Sequence, residues 1–337
     1  METENKKTAR PEWISIISKY NRPDHIRSWW QVINSVGPYL LLWYLMFRSL
    51  EISYLLTLAL SVLAAGFLVR IFIIFHDCGH GSFFRSKRLN TIVGIITGLL
   101  VFTPHHRWHR DHHIHHQTVG NLDKRGIGDV KTLTVTEYEN LSKWQRFVYR
   151  LYRHPLFLLG VAPILLFVVL FRFTKSYMTT REKLYVHLTN LALAGMVALA
   201  IWAIGWKAYL MIQLPVLYVA TVHGVWLFYV QHQFRHVIWT DSGNWDYKTM
   251  ALNGSSLFRL PGLLNWFTGN IGYHHIHHLS PAIPNYNLKK CHQENELFRG
   301  VKPITFMSAF ETLKLRLWDE KRGRLISFRE RYRVAVN

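Results

Sequence analysis

Polar and apolar positions along the chain separate into long blocks. Apolar runs occupy about 34–50, 53–75, 91–103, 155–171, 185–206 and 208–230, and the segments between them are polar and rich in Lys and Arg. From Ser53 the chain runs 17 residues before its first charge, Arg70. Tyr185–Trp206 and Ala208–Val230 contain no Asp, Glu, Lys or Arg. A membrane-spanning helix needs roughly 20 apolar residues, so four runs predict crossings: 34–50, 53–75, 185–206 and 208–230. The run 91–103 is short, and 155–171 is interrupted by Pro155, Gly160 and Pro163. Both are expected to return to the face they left, as re-entrant or interfacial segments.

Charge orients this arrangement. Residues 1–33 carry 6 Lys/Arg, 76–154 carry 12 and 231–337 carry 15, whereas the turns between paired spans hold only Arg48 and Lys207. By the positive-inside tendency, 1–33, 76–184 and 231–337 face the cytoplasm. The excess of 40 basic over 20 acidic residues would also suit a nucleic-acid binder. The long apolar runs assign it instead to loops facing anionic lipid, and no nucleic-acid partner is expected. Trp13, Trp29 and Trp30, beside Lys19 and Arg27, suit the headgroup layer. Two cysteines, Cys78 and Cys291, make no disulfide framework and fit a reducing compartment. The opening METENKKTARPEW shows no signal-peptide pattern.

The chemistry lies in the 20 histidines. His76 and His80 are four apart, directly after the second span. His112, His115 and His116 follow an i, i+3, i+4 pattern, as do His274, His277 and His278. On a helix such residues share a face. Adjacent His115 and His116 diverge by about 100° and therefore serve two neighbouring metals better than one. His232 ends the last span on the same face, making nine candidate ligands, too many for one ion. Imidazole suits Fe, Zn, Cu and Ni. Asp77 and Asp111, inside the clusters, are candidate acceptors for the outer ring nitrogens. His105, His106, His113 and His275 read as neighbours of the clusters; His25, His154, His187, His223 and His292 read as ordinary surface or core residues.

The three spacings match HxxxH, HxxHH and HxxHH, and the words around them are HDCGHGSFF (76–84), HHQTVGNLDKRG (115–126), FYVQHQF (228–234) and GNIGYHHIHHLSPAIPNY (269–286). In these the sequence resembles the membrane fatty-acid desaturases, over about residues 14–318. It looks most like the bacterial acyl-lipid branch that holds Δ5 and Δ12/ω6 enzymes. The resemblance implies an all-α integral membrane protein, 1–337 as a single domain, with four transmembrane helices and a cytoplasmic helical cap around a histidine-rich di-iron site. It implies two non-haem Fe ions, O2 as co-substrate, and insertion of a double bond into the acyl chain of a membrane lipid such as a phospholipid. His232 matches the extra ligand that the family carries after its last span. Acyl-CoA desaturases place an Asn one turn earlier; here that position is Phe228. The cytochrome b5 motif HPGG does not occur, so a separate donor such as ferredoxin or flavodoxin is expected. The expected location is a bacterial inner membrane, with the site facing the cytoplasm. Residues contacting the substrate are not legible.

Two other classes share parts of this pattern. A histidine-box hydroxylase or carotenoid ketolase would retain oxygen in its product. A metal transporter would place its histidines at mid-membrane, but here they flank the spans.

Overall fold

The computed structural model describes residues 11–332. The polar stretch through Arg10 lies outside the described residues, and with it the basis of the signal-peptide reading and the charges of Lys6, Lys7 and Arg10; so does Arg333 in the tail.

After a short α1 (Glu12–Ser18), α2 (His25–Ser49) starts where the Asp24 carboxylate accepts from the Arg27 amide. It therefore begins nine residues before the apolar run it contains. Helix α3 (Tyr54–His80) ends at Gly81, whose φ of 70° is the left-handed cap conformation that glycine adopts without steric cost. Small residues let α2 and α3 approach closely: Ala64 and Ala65 of α3 are buried against the Tyr39, Leu42 and Met46 side of α2. A second hairpin pairs α9 (Thr180–Ile204) with α10 (Trp206–His232), broken at Gly205 with φ 80°. Ile212, Val216 and Ala220 of α10 join the α2–α3 core.

Among the described residues, three helices, α3, α9 and α10, are long and apolar enough to cross a membrane. Helix α2 is as long, but its polar first half keeps it out of that group. Helix α9 leaves Leu188, Leu191, Leu199 and Trp202 exposed. So much outward apolar surface is unfavourable in water and suits a lipid surround.

The two short apolar runs belong to bent pairs. Helix α4 (Lys87–Leu100) turns 102° into α5 (His105–Thr118). The amphipathic α7 (Lys143–Tyr152), which follows the one-turn α6 (Val135–Glu139), bends 53° into residues 156–172. That segment alternates π turns with the α turn α8 (Ala162–Ile164) and ends in a 3-10 turn. Pro163 has no N–H to donate, which shifts the hydrogen-bond register locally. Arg107 of α5 donates to the carbonyls of Leu170 and Phe173, and Arg110 to both oxygens of Glu182. These bonds anchor α5 against the helices it faces.

Beyond α10 come α11 (Tyr247–Asn253), α12 (Gly262–Phe267), α13 (His274–Leu279), α14 (Asn285–Glu294) and α15 (Phe306–Thr312). The expected all-α class needs one amendment. Two small sheets occur among the described residues. β1 (Leu133–Thr134), β4 (Leu317–Asp319) and β5 (Arg324–Ile326) form one, and β2 (Leu257–Arg259) pairs in parallel with β3 (Pro303–Thr305) in the other. Strands this short tie the returning tail to the loop between α5 and α6 and to the segment after α10.

Candidate metal centre

Four helix segments bring the nine histidines together. His76 and His80 form the last turn of α3, His232 ends α10, and α5 and α13 carry the other six. The inner nitrogens gather in two sets. His76, His80, His112 and His277 each offer an atom within 4.8 Å of the other three, and so do His115, His232, His274 and His278. His116 belongs with the first set: its Nε2 lies 3.1 Å from that of His112 and 3.0 Å from that of His277. Its ring also stacks on His278, with centroids 4.1 Å apart. Helices α5 and α13 thus each divide their histidines between the two sets.

The outer nitrogens fix the rings. His76 Nδ1–H donates to Asp77 Oδ1 at 3.0 Å. The other Asp77 oxygen accepts from the Asn285 amide and side chain at 2.7 and 2.8 Å. His115 Nδ1–H donates to Asp129 Oδ1 at 2.5 Å, and His232 Nδ1–H to the Gly254 carbonyl at 3.3 Å. With the proton on Nδ1, the Nε2 lone pair of each points inward. Burial, with the neighbouring imidazoles adding to it, pushes His112, His116, His274, His277 and His278 well below the ordinary histidine range. These rings are neutral at physiological pH, the form that binds metal.

Of the two aspartates singled out in the sequence, Asp77 holds a histidine of the first set and Asp111 does not. Asp111 sits one turn before His115 on α5, at the edge of the ligand face, and its carboxylate is turned to other partners. There it accepts from Tyr177 Oη at 2.7 Å and lies 3.9 Å from Arg107. The carboxylate that sequence reasoning missed is Asp129, in the glycine-flanked loop 126–130, where no spacing rule connects it to His115. The neighbouring histidines take other places. His105 packs edge-on against Phe75, His106 stacks on Tyr185, and His275 pairs with His292 at 3.3 Å.

Aromatic rings close the centre on two sides. Trp108 stacks on His112 with centroids 4.3 Å apart. Phe228 sits 5.1 Å from His115 and 5.0 Å from His232, ring to ring. Beside Phe228 and His232 opens a small cavity of about 30 Å³. Its wall is braced by Arg153, which is almost fully buried and donates to Lys131, Thr132, Tyr229, Gln233 and Leu315.

The donor set fits a pair of metal ions. Nε2 atoms crowd to 2.9–3.1 Å of one another across both sets. His80 Nε2 is buried with no hydrogen-bond partner among the described residues. Neutral nitrogens so placed gain from a shared cation and from little else.

The family model for fatty acid desaturases matches residues 52–303, three-quarters of the chain and every one of the nine histidines. The chain belongs to the fatty acid desaturase family. It is 45% identical over 321 residues to a fatty acid desaturase of Bacillus subtilis, covering 95% of this chain and 91% of the relative. It is 29% identical over 252 residues to an sn-1 acyl-lipid omega-3 desaturase (ferredoxin) of Synechocystis, covering 69% of this chain and 64% of that one. An omega-3 fatty acid desaturase of the endoplasmic reticulum from Nicotiana tabacum is 29% identical over 248 residues, covering 69% and 62%. The protein is accordingly an oxidoreductase that desaturates fatty-acyl chains, and the paired histidine sets are its candidate metal centre.

Proposed function

We propose that this desaturase acts on acyl chains of membrane lipids, holds two iron ions and uses O2. The observation that carries the reading is the division of nine histidines into two adjoining sets. His76, His80, His112, His116 and His277 would hold one ion, and His115, His232, His274 and His278 the other. Bound there, two irons would supply what side chains lack, O2-dependent removal of two hydrogens from adjacent unactivated carbons, with two electrons and two protons taken up and two waters released. The chain's own part is positional. Asp77 and Asp129 keep Nε2 of His76 and His115 free of protons. Trp108 and Phe228 shield the rings from water.

The relatives named for acyl-lipid substrates and ferredoxin support a membrane-lipid substrate and a ferredoxin-type donor for this chain. Flavodoxin has the same acidic character and would suit the same basic surface.

We read residues 1–337 as one desaturase domain with four crossings, through α2, α3, α9 and α10. Two helical hairpins with turns at 50–53 and Gly205 return both His80 and His232 to one side, which the charge distribution makes cytoplasmic. The membrane would be a bacterial inner membrane. The helical cap formed by α5 and the residues beyond α10 would close over the metals on that side.

The test is direct. Protein purified in lipid nanodiscs should hold two irons per chain. With O2 and phospholipid present, it should oxidise reduced ferredoxin and yield a product two mass units lighter per chain turned over. A product sixteen units heavier would make it a hydroxylase instead. Absence of iron, with metal ions carried across vesicles, would make it a transporter.

A further inference from the structure

Resting on the crossings and the cytoplasmic cap proposed above, we infer that α7 lies in the plane of the membrane, with Trp144, Phe147, Val148 and Leu151 inserted into the cytoplasmic leaflet. These four side chains are 70%, 55%, 45% and 52% exposed. They stand at i, i+3, i+4 and i+7, so they form one stripe along the helix. The Trp144 and Phe147 rings stack with centroids 5.5 Å apart, which joins them into a single apolar surface. Water is a poor surround for such a stripe.

The opposite side of α7 faces the cap. Tyr149 is buried beside Tyr138, Leu317 and Ile326, and its hydroxyl donates to the Arg316 carbonyl at 2.7 Å. Arg153, which caps the helix, donates to Thr132, Tyr229 and Gln233. These bonds hold α7 to the cap and keep its stripe turned outward.

The surroundings of the stripe decide what covers it. Past the bend the chain continues into 156–172, where Leu156, Val161, Leu165 and Val169 are exposed as well. The outward apolar surface of α7 therefore runs on into a second one, of the kind that α9 turns to lipid. The bend of 53° lets α7 lie along the surface while 156–172 dips below it. Charge agrees with this placement. Lys143 and Arg150 stand on one flank of the stripe, and α7 contains no Asp or Glu. Cations beside an inserted apolar face suit anionic headgroups, and Trp suits the boundary between headgroups and acyl chains. The arrangement also refers the second histidine set to the bilayer surface, because Arg153 joins α7 to Tyr229 and Gln233, on either side of His232 in α10.

The test reads the surroundings of single positions in the full chain, held in nanodiscs of phosphatidylcholine and phosphatidylglycerol. A nitroxide is attached to one added cysteine at a time. Trp144→Cys, Phe147→Cys, Val148→Cys and Leu151→Cys sample the stripe. Leu191→Cys in α9 is the lipid reference, and Lys321→Cys between β4 and β5 is the water reference. All six side chains are exposed, so no substitution opens the core. Both native cysteines are buried, and the unaltered protein measures their background labelling. Power saturation then compares collisions with O2, which concentrates in lipid, and with a nickel chelate, which stays in water. At the stripe positions the ratio of O2 to nickel collisions should be several-fold above that at Lys321. It should stay below that at Leu191, since an in-plane helix reaches only about 5–10 Å into the leaflet. Ratios equal to that at Lys321 would put the stripe in water and overturn the inference. Shelter from both reagents would overturn it too, because a second copy or another protein would then cover the stripe. A water reading at Leu191 itself would instead overturn the proposed crossings, and the inference with them.

Discussion

His115 and His116 are neighbours on one helix, yet their inner nitrogens serve different sets: His115 Nε2 lies 3.1 Å from that of His232, and His116 Nε2 lies 3.0 Å from that of His277. The angular step of the α-helix separates them, and the span ending at His232 and the short helix carrying His277 meet them on either side. The two single substitutions should therefore empty different sites. His115→Ala should leave about one iron per chain, held by the intact first set, and His116→Ala should weaken the first set while sparing the second. Iron counting with Mössbauer spectra of each variant checks this. Identical spectra from the residual iron would mean the sets are not distinct.

Asp129 and Asp111 offer a matched comparison, since both are aspartates near α5 and only Asp129 touches a histidine of the sets. Asp129→Asn replaces the carboxylate that holds the proton on His115 Nδ1 with an uncharged, weaker amide acceptor that can also present its NH2. It should lower the affinity for one iron by roughly 10–100-fold. Asp111→Asn should change that affinity little, because its partners are Tyr177 and Arg107. Competition with a chelator of known affinity measures both.

The metal-free protein should lose stability in acid. His112 and His274 of the sets are buried in their neutral form, and so are His105 and His275 beside them, these last two pushed down to about 3. Their folded pKa is depressed, so in mild acid the unfolded chain binds more protons. The stabilisation is fully present above the unfolded value of about 6.5 and is lost as pH falls from there toward the folded values. Melting temperatures in detergent without metal should be flat from pH 8 to about 7 and fall steadily below about 6.5. A curve that rises into acid would contradict neutral burial.

Gly272 approaches the chain so closely that a Cβ there would collide with the Phe258 carbonyl oxygen. The Phe258 amide also donates to the Gly272 carbonyl at 2.7 Å. Gly272→Ala should push apart β2 and the start of α13, which carries three of the nine histidines. Iron content should fall in both sets, and the melting temperature with it. Gly300→Ala, where no atom lies within 4 Å of the added Cβ, is the control and should match the unaltered protein.

The parts of this centre that the sequence makes legible are those set by helical spacing. His76 with His80, and the two i, i+3, i+4 triads, lie on one helical turn each, so local periodicity alone aligns them. His232 follows from where its span ends. Asp129 was hidden because it is 14 residues beyond His115 in a loop, and only the folded path of that loop brings it back. Asp111 misled for the converse reason: it is one turn from His115 in sequence, but its carboxylate is taken by Tyr177 and Arg107. Phe228 could be read as a departure from the acyl-CoA desaturases, but its contact with both the cavity and two rings is tertiary. Among the helices, hydropathy located the runs at 53–75, 185–206 and 208–230 within five residues at either end. It could not see that α2 begins at His25, because polar residues there are ordered by a cap and by packing on α14, as in the bonds from Arg27 to Tyr286 and Asn287. The small strands escaped because two or three residues carry no readable alternation.

One measurement bears most directly on the account. The chain is expressed in a bacterium without phospholipid desaturases, supplied with ferredoxin and fed deuterated saturated fatty acid, and total lipids are examined by gas chromatography–mass spectrometry. The predicted result is a labelled unsaturated acid that has lost two hydrogen-isotope atoms from adjacent carbons and that disappears with His116→Ala. A labelled hydroxy acid, or an unsaturated acid that persists in the variant, would contradict desaturation by the paired histidine sets.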